Sequence, residues 1–257
     1  MGIDKLTPHD PRVRYLTAPA RGKTYGYLLA DPADAPIDTI LLLHGFPDLS
    51  FGWRYQIPHL VSLGYRVVAP DAVGYASTDA AQELEAYTTA SPADDIAGLA
   101  QRVVSPGAAV IVGGHDMGGE TCWQVAARHP QLVKAVFSVC TPVLEVGDTH
   151  TPLEDLIAAG KWTHFGYQLQ LIGPAALNWA AGAAQKDKAV RIRMPALFIA
   201  AAAEDGAVPP SLAEGMGKIV LDLTSGLVQA GHWALWQAPA AINETLEGWL
   251  NSVAQKT

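Results

Sequence analysis

The segment Val112-Gly113-Gly114-His115-Asp116-Met117-Gly118-Gly119 follows an apolar run and opens a stretch of helical period. Its Gly-x-nucleophile-x-Gly form is that of a sharp strand-to-helix elbow, with aspartate at the centre where serine is commoner. Such a turn strains the backbone of its central residue and leaves no room for side chains at Gly114 and Gly118. The helix N-terminus behind it supplies N–H groups and a positive dipole end. Asp116 is therefore expected to be ionised and aimed into a cleft, where a carboxylate can attack an electrophilic carbon and form an ester. His44-Gly45-Phe46-Pro47-Asp48 closes a second apolar run. Gly45 allows close approach of the backbone, and the N–H groups of Phe46 and Met117 can receive a developing oxyanion. Ala230-Gly231-His232-Trp233 lies after a late strand and before the last helix, which suits His232 as a general base. His9, His59 and His129 read as surface or helix-end residues, and His164 as a packing residue of an insertion. The acid that orients His232 is expected at Asp205, with Glu204 as the alternate; Glu145 or Asp148 could reach the same space.

The elements that must carry these residues alternate along the chain. Strands are expected at Val13–Leu16, Tyr25–Leu29, Thr39–Leu43, Arg66–Ala69, Ala109–Val112, Val133–Val139, Ala196–Ala201 and Leu227–Gln229. Helical patterns fall at Trp53–Leu63, Pro92–Val104, Gly118–Arg128 and Ala240–Val253. The middle strands are apolar on both faces, the signature of a mostly parallel sheet flanked by helices, an α/β fold. The first two strands read as an antiparallel edge turned at Arg21-Gly22. Between Val139 and Ala196 the alternation lapses into a stretch bearing Trp162, Phe165, Tyr167 and Trp179. Residues 1–141 and 191–257 thus form the expected core, and 142–190 a small lid over the carboxyl ends of the strands, where open α/β sheets bind ligands.

The 257 residues are 49% hydrophobic and 16% charged, which excludes disorder. Seventeen basic residues against twenty-five acidic ones give a net charge of −8, a surface that repels nucleic acid. Cys122 and Cys140 sit in apolar segments and imply a reducing compartment rather than a disulfide framework. The longest apolar run, from Ala196 to Ala203, is far too short to span a membrane. The first residues lack a signal-peptide core, so a cytoplasmic protein is expected.

These motifs together resemble the α/β-hydrolase-fold epoxide hydrolases. The resemblance runs through His44-Gly45-Phe46-Pro47-Asp48, Gly52-Trp53-Arg54-Tyr55-Gln56, Pro70-Asp71 with Gly74-Tyr75, Gly114-His115-Asp116 and Gly231-His232-Trp233. The chain order of nucleophile, acid and histidine (116, 205, 232) is that of the α/β-hydrolases. The resemblance implies Asp116 as nucleophile, His232 as base, Asp205 as its acid, and Phe46 and Met117 as oxyanion donors. It implies Tyr167, in Phe165-Gly166-Tyr167-Gln168-Leu169, as the acid that meets the epoxide oxygen. His44, Pro47, Trp53, His115, Trp179 and Trp233 are the expected substrate contacts. Ala180 stands after Asn178-Trp179 where the family usually has a second tyrosine, and the lid is shorter than the family's. The expected reaction opens a small apolar, bulky or specialised epoxide to a diol, with no cofactor and no metal; a homodimer is left open. The alternatives are a haloalkane or haloacid dehalogenase using the same aspartate, and a non-hydrolytic cyclase, lyase or ligand-binding protein with a rebuilt lid.

Overall fold

The computed structural model describes residues 2–104, 107–143, 153–160, 191–202 and 210–255. Eight strands form one sheet: β1 (Arg14–Ala20), β2 (Lys23–Ala30), β3 (Asp38–Leu43), β4 (Tyr65–Pro70), β5 (Val110–His115), β6 (Val133–Val139), β7 (Ala196–Ala201) and β8 (Leu223–Val228). Their order across the sheet is β1-β2-β4-β3-β5-β6-β7-β8. β2 is antiparallel to both β1 and β4, and the other pairs are parallel. Arg21 and Gly22 both have positive φ, 47° and 83°, as a two-residue hairpin turn of the primed type requires.

The period-2 pleat sends alternate apolar residues to opposite sides of the sheet. Ile40 and Leu42 of β3, Ile111 of β5, Phe137 of β6 and Leu197 of β7 enter one core with helix α1 (Gln56–Ser62) and the final helix. Leu41, Leu43, Val112, Val136 and Phe198 enter the other, with α2 (Ala90–Val103) and α3 (Met117–Arg128). Residues apolar on both faces are thus explained by two cores, one on each side. Beyond these lie α4 (Leu153–Ala158), α5 (Ala234–Gln237) and α6 (Pro239–Ala254).

Two expectations shift. The helical stretch from Trp53 to Leu63 divides into a 3-10 turn, Ser50–Trp53, and α1. The last strand begins at Leu223, earlier than its apolar residues indicate, because Thr224 and Ser225 face solvent at the sheet's edge. The inserted stretch joins the adjacent strands β6 and β7, and only 142–143 and 153–160 of it fall within the described residues.

The strand order places the site. The chain passes from β3 outward to β4, then crosses back over β3 to β5. The carboxyl ends of β3 and β5 therefore flank the point where the winding reverses, and a crevice opens there. β3 runs into His44-Gly45-Phe46 and β5 into Asp116, with Leu43 in register with Gly114.

Candidate active site

The elbow after β5 takes the expected form. Asp116, the N-cap of α3, has φ 54° and ψ −124°, a conformation costly for a residue with a side chain. A Cβ on Gly114 would lie 2.0 Å from the Gly118 carbonyl oxygen, and one on Gly118 would lie 2.2 Å from that of Leu43. The helix start is pressed directly onto the two strands, which only glycine permits. The Asp116 carbonyl accepts from the N–H groups of Gly119 and Glu120, at 2.8 and 3.2 Å, and from the Thr141 hydroxyl at 2.8 Å. The strained residue is held from three directions.

Its carboxylate is held as well. Phe46 N–H donates to Oδ1 at 2.8 Å, and His232 Nε2 lies 3.1 Å from Oδ2. Burial opposes the charge, but the His232 hydrogen bond, the electrostatic attraction of the two neighbouring imidazoles and the Phe46 N–H together outweigh it and hold the carboxyl below its ordinary pKa. Asp116 is therefore a carboxylate at neutral pH. Met117, whose N–H opens α3, leaves its side chain 53% exposed.

His232 is held through its backbone. His115 Nε2–H donates to the His232 carbonyl at 2.7 Å, and the Cys140 thiol lies 3.5 Å from the same oxygen. Gly231 N–H donates to Gln237 Oε1 at 2.7 Å. Trp233 meets the His232 ring edge-on at 5.8 Å and stacks on Trp236 at 4.8 Å, with the Arg54 guanidinium 4.4 Å over the Trp236 ring. Trp236 Nε1–H is anchored on the Gly52 carbonyl at 2.8 Å.

The expected substrate contacts separate into groups. Pro47 is exposed and Trp233 partly buried beside His232, while Trp53 is 0% exposed and packs edge-on against Phe137 in the core. His44 and His115 are buried and already engaged. Ala72 N–H donates to His44 Nε2 at 2.9 Å, and His44 Nδ1–H donates to the Gly45 carbonyl at 2.8 Å. Burial lowers the pKa of both rings, that of His115 to about 4, so both are neutral. Asp205, Tyr167 and Trp179, with the alternates Glu204, Glu145 and Asp148, lie outside the described residues.

Some participants were not expected from the sequence. Thr141 is the second residue after β6, a position that topology alone brings to the elbow. Trp236 had a detectable signal, lying three residues after Trp233 on one helical face. Glu120 lies one turn beyond Asp116, partly buried; desolvation and the charge of Asp116 push its pKa up to about 7. Among the described residues, the grouping of metal-ligand type is His115, Cys140 and His232, with donor atoms within 4.8 Å of one another. Each already has a hydrogen-bond partner in the arrangement above, so the set works as a clamp on the His232 loop. The assembly is suited to one kind of chemistry: an ionised carboxylate with an oxyanion donor on one oxygen and an imidazole on the other.

The chain is 40% identical over 214 residues to the epoxide hydrolase srdG of Neurospora crassa, covering 81% of this chain and 61% of that protein. It is 39% identical over 132 residues to the AB hydrolase superfamily protein YfhM of Bacillus subtilis, covering 51% and 45%. The chain thus spans less than two thirds of the length of these curated relatives. Its fold is similar to that of epoxide hydrolase A from Mycobacterium thermoresistibile, with a TM-score of 0.79 at 23% identity over 93% of this chain and 98% of that one. Residues 38–172, from β3 through the elbow and into the inserted stretch, match the family of the alpha/beta hydrolase fold, and to that family this chain belongs.

Proposed function

We propose that the protein hydrolyses an epoxide through a covalent ester on Asp116. The observation that carries this reading is the Asp116 carboxylate, ionised at the elbow between Phe46 N–H and His232. A carboxylate makes a poor acyl-transfer nucleophile, since its product would be an anhydride. It is adequate for a strained ring carbon held in line. The relative named an epoxide hydrolase supports the same substrate class.

In the first step Oδ2 attacks a ring carbon and the ring C–O bond breaks, with Tyr167 as the proposed proton donor to the alkoxide. The ester leaves Oδ1 as its carbonyl oxygen, already facing Phe46 N–H. Esterification also removes the negative charge that favours a proton on His232 Nε2. His232, with Asp205 as its proposed partner, can then accept a proton from water. That water adds to the Asp116 carbonyl carbon, and the oxyanion on Oδ1 is stabilised by the N–H groups of Phe46 and Met117. Collapse expels the ester oxygen, which takes the proton held by His232 and completes the diol; the proton the added water leaves on the Asp116 carboxyl passes to Tyr167, restoring carboxylate and phenol. No cofactor enters these steps.

The lid is proposed to be residues 142–190 and reduced, which leaves an open mouth suited to a bulky or specialised epoxide. The buried thiols of Cys122 and Cys140 support a cytoplasmic location. No helix among the described residues is long and apolar enough to cross a membrane.

The test uses a His232→Gln variant, incubated with pooled epoxides, haloalkanes and esters and followed by intact mass and peptide mapping. The expected result is a gain of one whole epoxide on the peptide holding Asp116. A gain lacking the elements of hydrogen halide would instead establish dehalogenation.

A further inference from the structure

We propose that His44 is a positioning residue for the oxyanion hole, locking the Gly45–Phe46 peptide so that its N–H faces Asp116. The inference rests on the ester mechanism proposed above, and its physical basis is a conflict at Gly45. A Cβ there would lie 2.4 Å from the Asp116 Cβ and 2.8 Å from the His115 carbonyl oxygen, so only glycine lets the two strand ends meet. Glycine is also the residue whose backbone turns most freely. A donor borne by the next peptide would therefore be free to swing away from the carboxylate unless something else fixed it.

A peptide unit is planar, and its C=O and N–H point in opposite directions. Fixing the Gly45 carbonyl therefore fixes the Phe46 N–H. The carbonyl is held by His44 Nδ1–H at 2.8 Å and by Asp48 N–H at 3.2 Å, while the N–H on the other side of the same peptide reaches Asp116 Oδ1 at 2.8 Å. The imidazole is fixed in its turn. Ala72 N–H donates to Nε2 at 2.9 Å, which leaves the only ring proton on Nδ1. The loop bearing Ala72 is tied to the loop after β3 by Ser50 N–H on Asp71 Oδ1 at 2.8 Å, and it is closed by the Thr78 hydroxyl on the Asp71 carbonyl at 2.8 Å. Tyr75 packs edge-on against the imidazole at 5.1 Å. His44 is 4% exposed, and both ring nitrogens are already taken by backbone partners. The ring thus carries the rigidity of the β4 end across to the Gly45–Phe46 peptide.

The oxyanion donor acts chiefly in ester hydrolysis, because charge develops on Oδ1 in that step. The test compares His44→Leu, which keeps bulk and loses the donor, with His44→Asn, whose amide can replace Nδ1–H. Single-turnover mixing with an epoxide, followed by intact mass, separates ester formation from ester hydrolysis. His44→Leu is expected to slow hydrolysis by about 10²-fold, the loss typical of one oxyanion donor. Ester formation should change by less than about threefold, so that the ester accumulates, and His44→Asn should recover most of the hydrolysis rate. Equal slowing of both steps, or hydrolysis at the wild-type rate in His44→Leu, would overturn the proposal. Independently of any variant's folding, imidazole ¹⁵N shifts of the wild type should report a neutral Nδ1–H tautomer at His44 at neutral pH. An Nε2–H tautomer or a cation would contradict it. If His232→Gln gathers no ester from an epoxide that the wild type consumes, the covalent mechanism itself fails. If that variant gathers ester while His44→Leu hydrolyses normally, only the role of His44 fails.

Discussion

Asp116 is charged because its two carboxylate oxygens are bound from opposite sides, by a backbone N–H and an imidazole. Asp116→Asn retains shape but forms no ester, and diol production is expected to fall by about 10⁴-fold or more while the melting temperature stays close to the wild type's. Glu120 makes a second prediction possible. With its pKa near 7, it gains a negative charge beside Asp116 as pH rises through neutrality. That charge repels the Asp116 carboxylate, whose own charge is lost on ester formation, so the rate of ester formation should rise severalfold between about pH 6 and pH 8. Glu120→Gln should abolish that rise, as stopped-flow measurements across this range would reveal. At this scale the sequence made Asp116 and His232 legible, because an elbow and a Gly-His pair at a strand end have local signatures. It made His44 and His115 visible but not their orientation. The hydrogen bonds that decide the matter come from Ala72 and from the His232 carbonyl, 28 and 117 residues away.

Among the elements, the inner strands were legible because both of their faces are apolar. The edge strand β8 was shortened in the sequence reading because its exposed Thr224 and Ser225 carry no such signal. The contact of β5 with α3 yields a stability prediction. Gly114→Ala would place a Cβ 2.0 Å from the Gly118 carbonyl oxygen, on backbone that has no slack. Thermal unfolding should show a loss of about 2 kcal/mol or more, at the upper end of overpacking costs. The β4 end yields another. Burial raises Asp71 from 3.8 to about 6, opposed by the Ser50 N–H. Between those values the folded chain holds a proton that the unfolded chain has lost, so stability falls as pH rises from about 4 to 6. Asp71→Asn keeps an acceptor for Ser50, and denaturant titrations should find that fall removed and the protein more stable at neutral pH.

For the whole molecule, the reversal of winding between β3 and β5 unites motifs 70 residues apart, since Phe46 reaches Asp116. The alternation of strands and helices made a mostly parallel sheet flanked by helices legible, but not the order of its strands. The stretch 142–190 was legible only as an interruption, because its aromatics and prolines follow no period that fixes an element. Cys122 and Cys140 are both buried thiols. The folded protein is therefore expected to resist a thiol reagent that labels both cysteines after denaturation, and its melting temperature should not respond to reductant.

The covalent step itself is tested most directly by one turnover in H₂¹⁸O with enzyme in excess over an epoxide substrate. If Asp116 forms the ester and water attacks its carbonyl carbon, the diol takes its new oxygen from the carboxylate, and ¹⁸O appears in the peptide holding Asp116. Label found in the diol of the first turnover, with Asp116 unlabelled, would mean that water attacks the ring directly and would contradict the ester.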